Sequence, residues 1–138
     1  YFDRYPRINA YIMKTIAFAQ SHGYVETLLG RRRYIPDIKS SNRNVRMFAE
    51  RTAINAPIQG SAADMIKIAM IRIHEALRDR ALRTRMILQV HDELVFDTPR
   101  DEVDEVRDLV TRHMTTAMNL TVPIAVDCGW GDNWLEAH

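Results

Sequence analysis

Asp92 and Glu93 are adjacent carboxylates preceded by His91, and they fall between two short apolar runs, Met86 to Val90 and Leu94 to Phe96. Neighbouring carboxylates repel unless solvent or a cation relieves them. Mg²⁺ suits such a pair, because it takes oxygen ligands, keeps several waters, and is held by one or two carboxylates together with substrate phosphates. Two other readings stay open on the residues alone. The tripeptide can be an ordinary solvated hairpin turn, or the histidine-aspartate pair of a metal phosphohydrolase. The last needs further ligands, and His22, His74 and His113 lie at no metal-ligand spacing.

A second constellation is Arg51, Asn55 and Gln59. Spaced four apart, they share one ridge of a continuous helix. Their donors and acceptors suit the minor groove of a duplex, where readout is degenerate and largely independent of sequence. Arg43 and Arg46 precede the ridge, and Arg31, Arg32 and Arg33 lie further upstream, where arginines can fix phosphates without reading bases. The plainer reading is a solvated basic face partnered by Glu50 and Asp37. Charge division sharpens the question: residues 1–91 carry +9 and residues 92–138 carry −8, which together give the formal +1 of the whole chain. A polyanion would be drawn to the first part by counterion release.

The elements that must position these residues follow from periodicity. Ile8, Tyr11, Ile12, Thr15, Ile16 and Ala19 recur at helical spacing and Gly23 ends that helix; Tyr24 to Leu29 and Arg31 to Ile35 then read as a short hairpin around Gly30. A polar loop is expected over 36–44, and a helix from Val45 to Asn55 that Pro57 breaks or restarts. Ser61 and Asp64 resemble a capping box that starts a core helix with Ala62, Met65, Ile66, Ala69, Met70, Ile73 and Leu77 on its apolar face. The hairpin with His91, Asp92 and Glu93 at its tip follows, then an amphipathic helix over 101–118 and a last strand over 122–128. This order predicts an α+β domain with a mainly antiparallel sheet backed by helices.

With 138 residues, the chain can bury a core without covalent staples, and its single Cys128 cannot form an internal bridge. No export signal and no apolar run of membrane-spanning length is present, which points to a reducing cytoplasm and no membrane partner. There is no phosphate-cradling glycine loop and no zinc pattern. The seven methionines read as core, and Trp130 and Trp134 as anchors of the carboxy terminus. Beginning at Tyr1 within a plausible helix, the sequence is expected to be part of a longer product.

Several blocks in order carry a family resemblance: Arg51-Thr52-Ala53-Ile54-Asn55-Ala56-Pro57-Ile58-Gln59-Gly60-Ser61-Ala62-Ala63-Asp64, then Gln89-Val90-His91-Asp92-Glu93-Leu94-Val95-Phe96, with Tyr24-Val25-Glu26-Thr27-Leu28, Gly30-Arg31-Arg32 and the ending Gly129 to His138. Together they resemble the family A DNA polymerases of the bacterial DNA polymerase I type, over essentially the whole chain. The resemblance implies template-directed nucleotidyl transfer from a dNTP to a primer 3′ end, with two Mg²⁺ ions and primer-template DNA as partner. It assigns Asp92 as a metal ligand with Glu93 as its helper, and His91 near the primer terminus. Arg51, Asn55 and Gln59 fall at the family's minor-groove and template contacts. It also divides the chain into fingers-side helices and a basic hairpin over 1–60 and a palm portion, with a palm-type antiparallel sheet and catalytic hairpin, over 61–138. Ser61 stands where the family has threonine; both bear a hydroxyl that can cap a helix. The family's other metal aspartate and its nucleotide-gripping fingers helix belong to upstream sequence not among these 138 residues, so the fragment alone is expected to be inactive. The competing expectation is a non-catalytic nucleic-acid-binding fragment or remnant.

Overall fold

A computed structural model describes residues 2–138. Its elements are α1 (Pro6–His22), β1 (Tyr24–Glu26), β2 (Arg32–Tyr34), a 3₁₀ turn (Pro36–Lys39), α2 (Arg43–Asp79), β3 (Arg85–Val90), β4 (Glu93–Asp97), a second 3₁₀ turn (Arg100–Glu102), α3 (Val103–Thr115) and α4 (Trp134–Ala137). The mixed α+β class is as expected. The strands form two separate antiparallel hairpins, β1 with β2 and β3 with β4. The chain divides into two compact units, residues 1–64 and 65–138, with α2 passing from one to the other.

In the first unit, Pro6 opens α1, where its missing N–H costs nothing, and Gly23 closes it with φ 78°, a left-handed conformation that glycine enters freely. The hairpin follows at once. Ala19, Val25, Ile35, Ile38, Ala49 and Ala53 make the buried core of this unit. Small residues at 19, 49 and 53 let backbone come close, and the Tyr11 hydroxyl donates to the carbonyl oxygen of Ile54. The expected loop over 36–44 is more ordered than its polarity suggested, since Ile38 is buried from a 3₁₀ turn.

Helix α2 corrects two expectations. It starts at Arg43, where Asn42 Oδ1 accepts from the amides of Asn44 and Val45, and it runs through Pro57 without ending. Ser61 and Asp64 form no capping box, because no helix begins there. The Ser61 hydroxyl instead donates to the Pro57 carbonyl at 2.5 Å and accepts from the Leu28 amide at 2.9 Å, and Asp64 receives side chains of the first hairpin. Helical propensity on both sides of Pro57 and these tertiary bonds outweigh one missing backbone donor.

The second unit packs the later part of α2 against α3. Ala69, Ile73 and Leu77 meet Val106, Leu109, Val110 and Ala117, with Leu94 and Phe96 of β4 against them. The predicted helix over 101–118 is a 3₁₀ turn followed by α3, which ends at Thr115, and Glu102 stands at the junction of the two. It is 8% exposed and its carboxylate accepts from the Arg83 and Thr84 amides and the Thr84 hydroxyl. These hydrogen bonds, led by that of the Arg83 amide, hold the carboxyl below its ordinary range. A depressed pKa in the folded state gives stability that is present above the unfolded value and lost as pH falls through the folded one. Glu102→Gln is therefore expected to flatten the acid limb of a melting-temperature profile, leaving the neutral-pH ordering of other carboxylate variants unchanged; an acid limb identical in both proteins would contradict this.

Two further expectations fail. Residues 122–128 form no strand, because a strand exists only where its backbone groups pair with a neighbour; β3 and β4 pair only with each other, and Pro123 offers no donor. Nor do the tryptophans pin the carboxy-terminal segment: Trp130 and Trp134 are 60% and 48% exposed. That segment is held instead by the Arg100–Asp132 ion pair and by His138 against Glu93, while Asn133 caps α4 by accepting from the Glu136 amide.

Candidate nucleic-acid and metal site

In the second unit, Val90 pairs with Glu93, leaving His91 and Asp92 as the two residues of a tight turn. His91 has φ 53°, in the left-handed region that non-glycine residues rarely enter, although histidine does so more readily than most. Such backbone persists where its surroundings fix it, and it clusters at functional sites. The consequence is an Asp92 carboxylate at the very tip, exposed, with no hydrogen bond or ion pair to another described residue. Glu93 is half-buried behind it, with His138 Nδ1 3.4 Å from Oε1. Gln89 Nε2 donates to the His91 carbonyl, bracing the turn from the β3 side.

The hairpin carrying this tip is less buried than its apolar composition predicts. Ile87 and Leu88 are 59% and 45% exposed, and a register irregularity lies between Met86 and Leu88. Only the β4 side joins the core, through Leu94 and Phe96.

Two hard oxygen donors on adjacent residues fit a cation that binds through one or two carboxylates and completes its shell with water and phosphate. They do not fit zinc, which wants a closed tetrahedral set with nitrogen or sulfur. Among the described residues no group of three or more His, Cys, Asp and Glu gathers to hold a metal. His22 stacks on Phe18 with ring centroids 4.0 Å apart, and His113 is pushed to a lower pKa by burial and by Arg112, Arg72 and Arg80.

In the first unit, α2 is continuous over Arg51, Asn55 and Gln59, so the three lie on one line of the helix, and all are exposed. The upstream arginines are more committed than a free basic face would be. Arg31 Nε donates to Asp64 at 2.8 Å, Arg32 pairs with Glu26 and lies over the Tyr24 ring, and Arg46 donates to the Ser40 carbonyl. Arg33 and Arg43 are exposed.

The group that sequence reasoning missed is the one around Asp64. Thr27 Oγ1 donates to Asp64 Oδ2 at 2.7 Å, and Arg31 Nη2 reaches the Gly60 carbonyl at 3.2 Å. A signal was present: Asp64 is an acid set among Ala62, Ala63, Met65 and Ile66, and such a residue needs a cationic partner if it is buried.

Comparison with known proteins gives one answer throughout. The family model "DNA polymerase family A" matches residues 1–136. DNA polymerase I of Caldicellulosiruptor bescii is 50% identical over 136 residues, that of Lactococcus lactis subsp. lactis 52% over 137, and that of Geobacillus stearothermophilus 50% over 137. Each alignment covers 99% of this chain and 16% of the relative, so the chain spans about one-sixth of the length of those proteins. Among solved structures, the POL domain of Pol1 from M. smegmatis, in complex with DNA primer-template and dNTP, matches with a TM-score of 0.95 and 50% identity, covering 99% of this chain and 24% of that one. No helix among the described residues is long and apolar enough to cross a membrane.

Proposed function

Because the chain belongs to DNA polymerase family A, we propose that it is the carboxy-terminal part of the polymerase domain of a bacterial DNA polymerase, acting in template-directed transfer of a nucleotide from a dNTP to a primer 3′ end. The observation that carries this reading is the exposed Asp92 at the tip of a tight turn, in a chain whose ridge of Arg51, Asn55 and Gln59 is equally open. Residues 1–60 would serve as the fingers-side portion and 61–138 as the palm portion.

The family depends on divalent metal ions, and Asp92, helped by Glu93, would hold Mg²⁺ here. When bound, such ions would supply Lewis-acid stabilisation of the charge on the primer 3′ oxygen and the leaving phosphates. The chain's own residues do the positioning. Asp92 presents its carboxylate without an internal partner to compete for it, and Gln89 and the β-ladder fix the turn. His91, beside it, would lie near the primer terminus, and Arg51, Asn55 and Gln59 would hold the minor groove and template. Such contacts are independent of sequence, as copying any template requires. Arg33 and Arg43 add phosphate attraction, and Arg31, Arg32 and Arg46 contribute to the same positive surface while bracing the unit. Primer-template DNA, a dNTP and the upstream part of the polymerase are the partners, in the bacterial cytoplasm. The 138 residues alone supply only part of the metal site and no synthesis by themselves.

Gln59→Ala in the full-length polymerase tests the ridge. It is expected to weaken primer-template binding about tenfold, the loss of one or two hydrogen bonds to a positioned duplex. An effect no larger than that of Leu135→Ala, at an 88% exposed position, would remove the minor-groove assignment.

A further inference from the structure

Helix α2 has a weak point in the middle of its proposed DNA-binding ridge. Pro57 lies between Asn55 and Gln59 and has no amide to give to Ala53, and a proline at this place kinks or breaks a helix unless something holds it. A kink there would leave Arg51 and Asn55 on one line and swing Gln59 onto another. The helix nevertheless runs on without a break to Asp79.

What holds it is the turn of the first hairpin. Gly30, at φ 81°, closes the turn from Thr27 to Arg31, and its residues reach the helix at three points past the proline. The Leu28 amide donates to Ser61 Oγ, which itself caps the Pro57 carbonyl. Arg31 Nη2 donates to the Gly60 carbonyl. Both oxygens of Asp64, a residue 8% exposed, are then taken, Oδ1 by Arg31 Nε and Oδ2 by the Thr27 hydroxyl. The packing is close: a Cβ on Gly60 would stand 2.6 Å from Thr27 Cγ2. At about 100° per residue, Gly60, Ser61 and Asp64 lie on the side of the helix roughly opposite Arg51, Asn55 and Gln59. The brace therefore grips one face and leaves the other open.

We propose that Asp64 is a positioning residue for primer-template binding: with Thr27 and Arg31 it fastens the hairpin turn to α2 just past Pro57, while Val25 of the same hairpin shares a buried core with Ala49 and Ala53 before it, so that Gln59 stays in line with Asn55 and Arg51. The proposal rests on the ridge reading given under Proposed function. Asp64 acts through Gln59 and touches no substrate.

The test is a double-mutant cycle between Asp64→Ala and Gln59→Ala in the full-length polymerase, read as KM for primer-template, kcat and melting midpoint. Asp64→Ala is expected to raise that KM about tenfold with kcat within about twofold, since misplacement of a binding group costs affinity for the group it positions. In the Gln59→Ala background the same change should add less than about twofold. Asp64→Asn, which keeps an oxygen acceptor, should recover most of the loss. If Asp64→Ala does not fold, Thr27→Val removes one bond of the clamp in nearly the same volume and carries the same cycle. Equal Asp64→Ala effects with and without Gln59 would overturn the clamp and leave the ridge standing, as would an Asp64→Ala enzyme with unchanged KM. A silent Gln59→Ala would overturn the ridge reading, and the clamp with it.

Discussion

Asp92→Asn in the full-length polymerase is expected to lower the extension rate by at least about a thousandfold while primer-template affinity stays within about twofold. The amide keeps the size and the turn of the aspartate but loses the charge that a hard divalent cation needs. Nothing else in the unit should respond. Asp92 is exposed and bonds to no described side chain, so its replacement leaves no buried group unpaired and no cavity behind. The polar ridge of Arg51, Asn55 and Gln59 lies on the part of α2 that belongs to the other compact unit, and it is untouched. Single-turnover extension and duplex titration, run on the same preparation, separate the two quantities.

The second large effect concerns the platform on which the hairpin stands. Leu109 is 1% exposed and packs among Ile73, Val106 and Val110. Leu109→Ala removes a buried side chain from a close-packed core, and such truncations cost about 2–5 kcal/mol from lost transfer energy and the cavity left behind. For a chain of this size that is a large share of the total stability. The urea-unfolding midpoint of the chain should fall accordingly. A shift no greater than that of Leu135→Ala, on the exposed α4, would mean that the α2–α3 packing does not hold the unit together.

Much of this platform could be read from the residues, and the reasons differ by element. The 3.6-residue spacing of Ala69, Ile73 and Leu77 and of Val106, Leu109 and Val110 is a local signal that packing then obeys. Gly23 and Gly30 mark real chain reversals, because only a left-handed backbone fits there. The tip at His91 and Asp92 was legible as well, since two β-rich runs around a polar tripeptide leave little choice of register.

The misreadings share a cause. Local rules at Pro57 and at the Ser61–Asp64 pair predict a break and a new helix start, whereas α2 is joined past the proline by bonds from residues some 30 positions away in the chain. No local window contains Arg31 and Asp64 together. The missing strand over 122–128 is the converse case, a segment with strand-like composition but no backbone neighbour among the described residues. Of the candidate site, the chemistry of each residue was visible in its type, but the commitment of Arg31 to Asp64 and of Arg32 to Glu26 was not. Pairing between side chains is a property of the folded surface, and composition shows only that the charges exist.

The central claim is that the chain holds two separable functions, a carboxylate tip for the metal-dependent chemical step and a polar ridge for the duplex. It is tested most directly by measuring extension rate at saturating DNA and duplex affinity side by side for Asp92→Asn and Gln59→Ala. The account predicts that Asp92→Asn loses rate and keeps affinity, whereas Gln59→Ala loses affinity and keeps most of the rate at saturation. Parallel losses of both quantities in both variants, or an Asp92→Asn enzyme that extends primers normally, would contradict it.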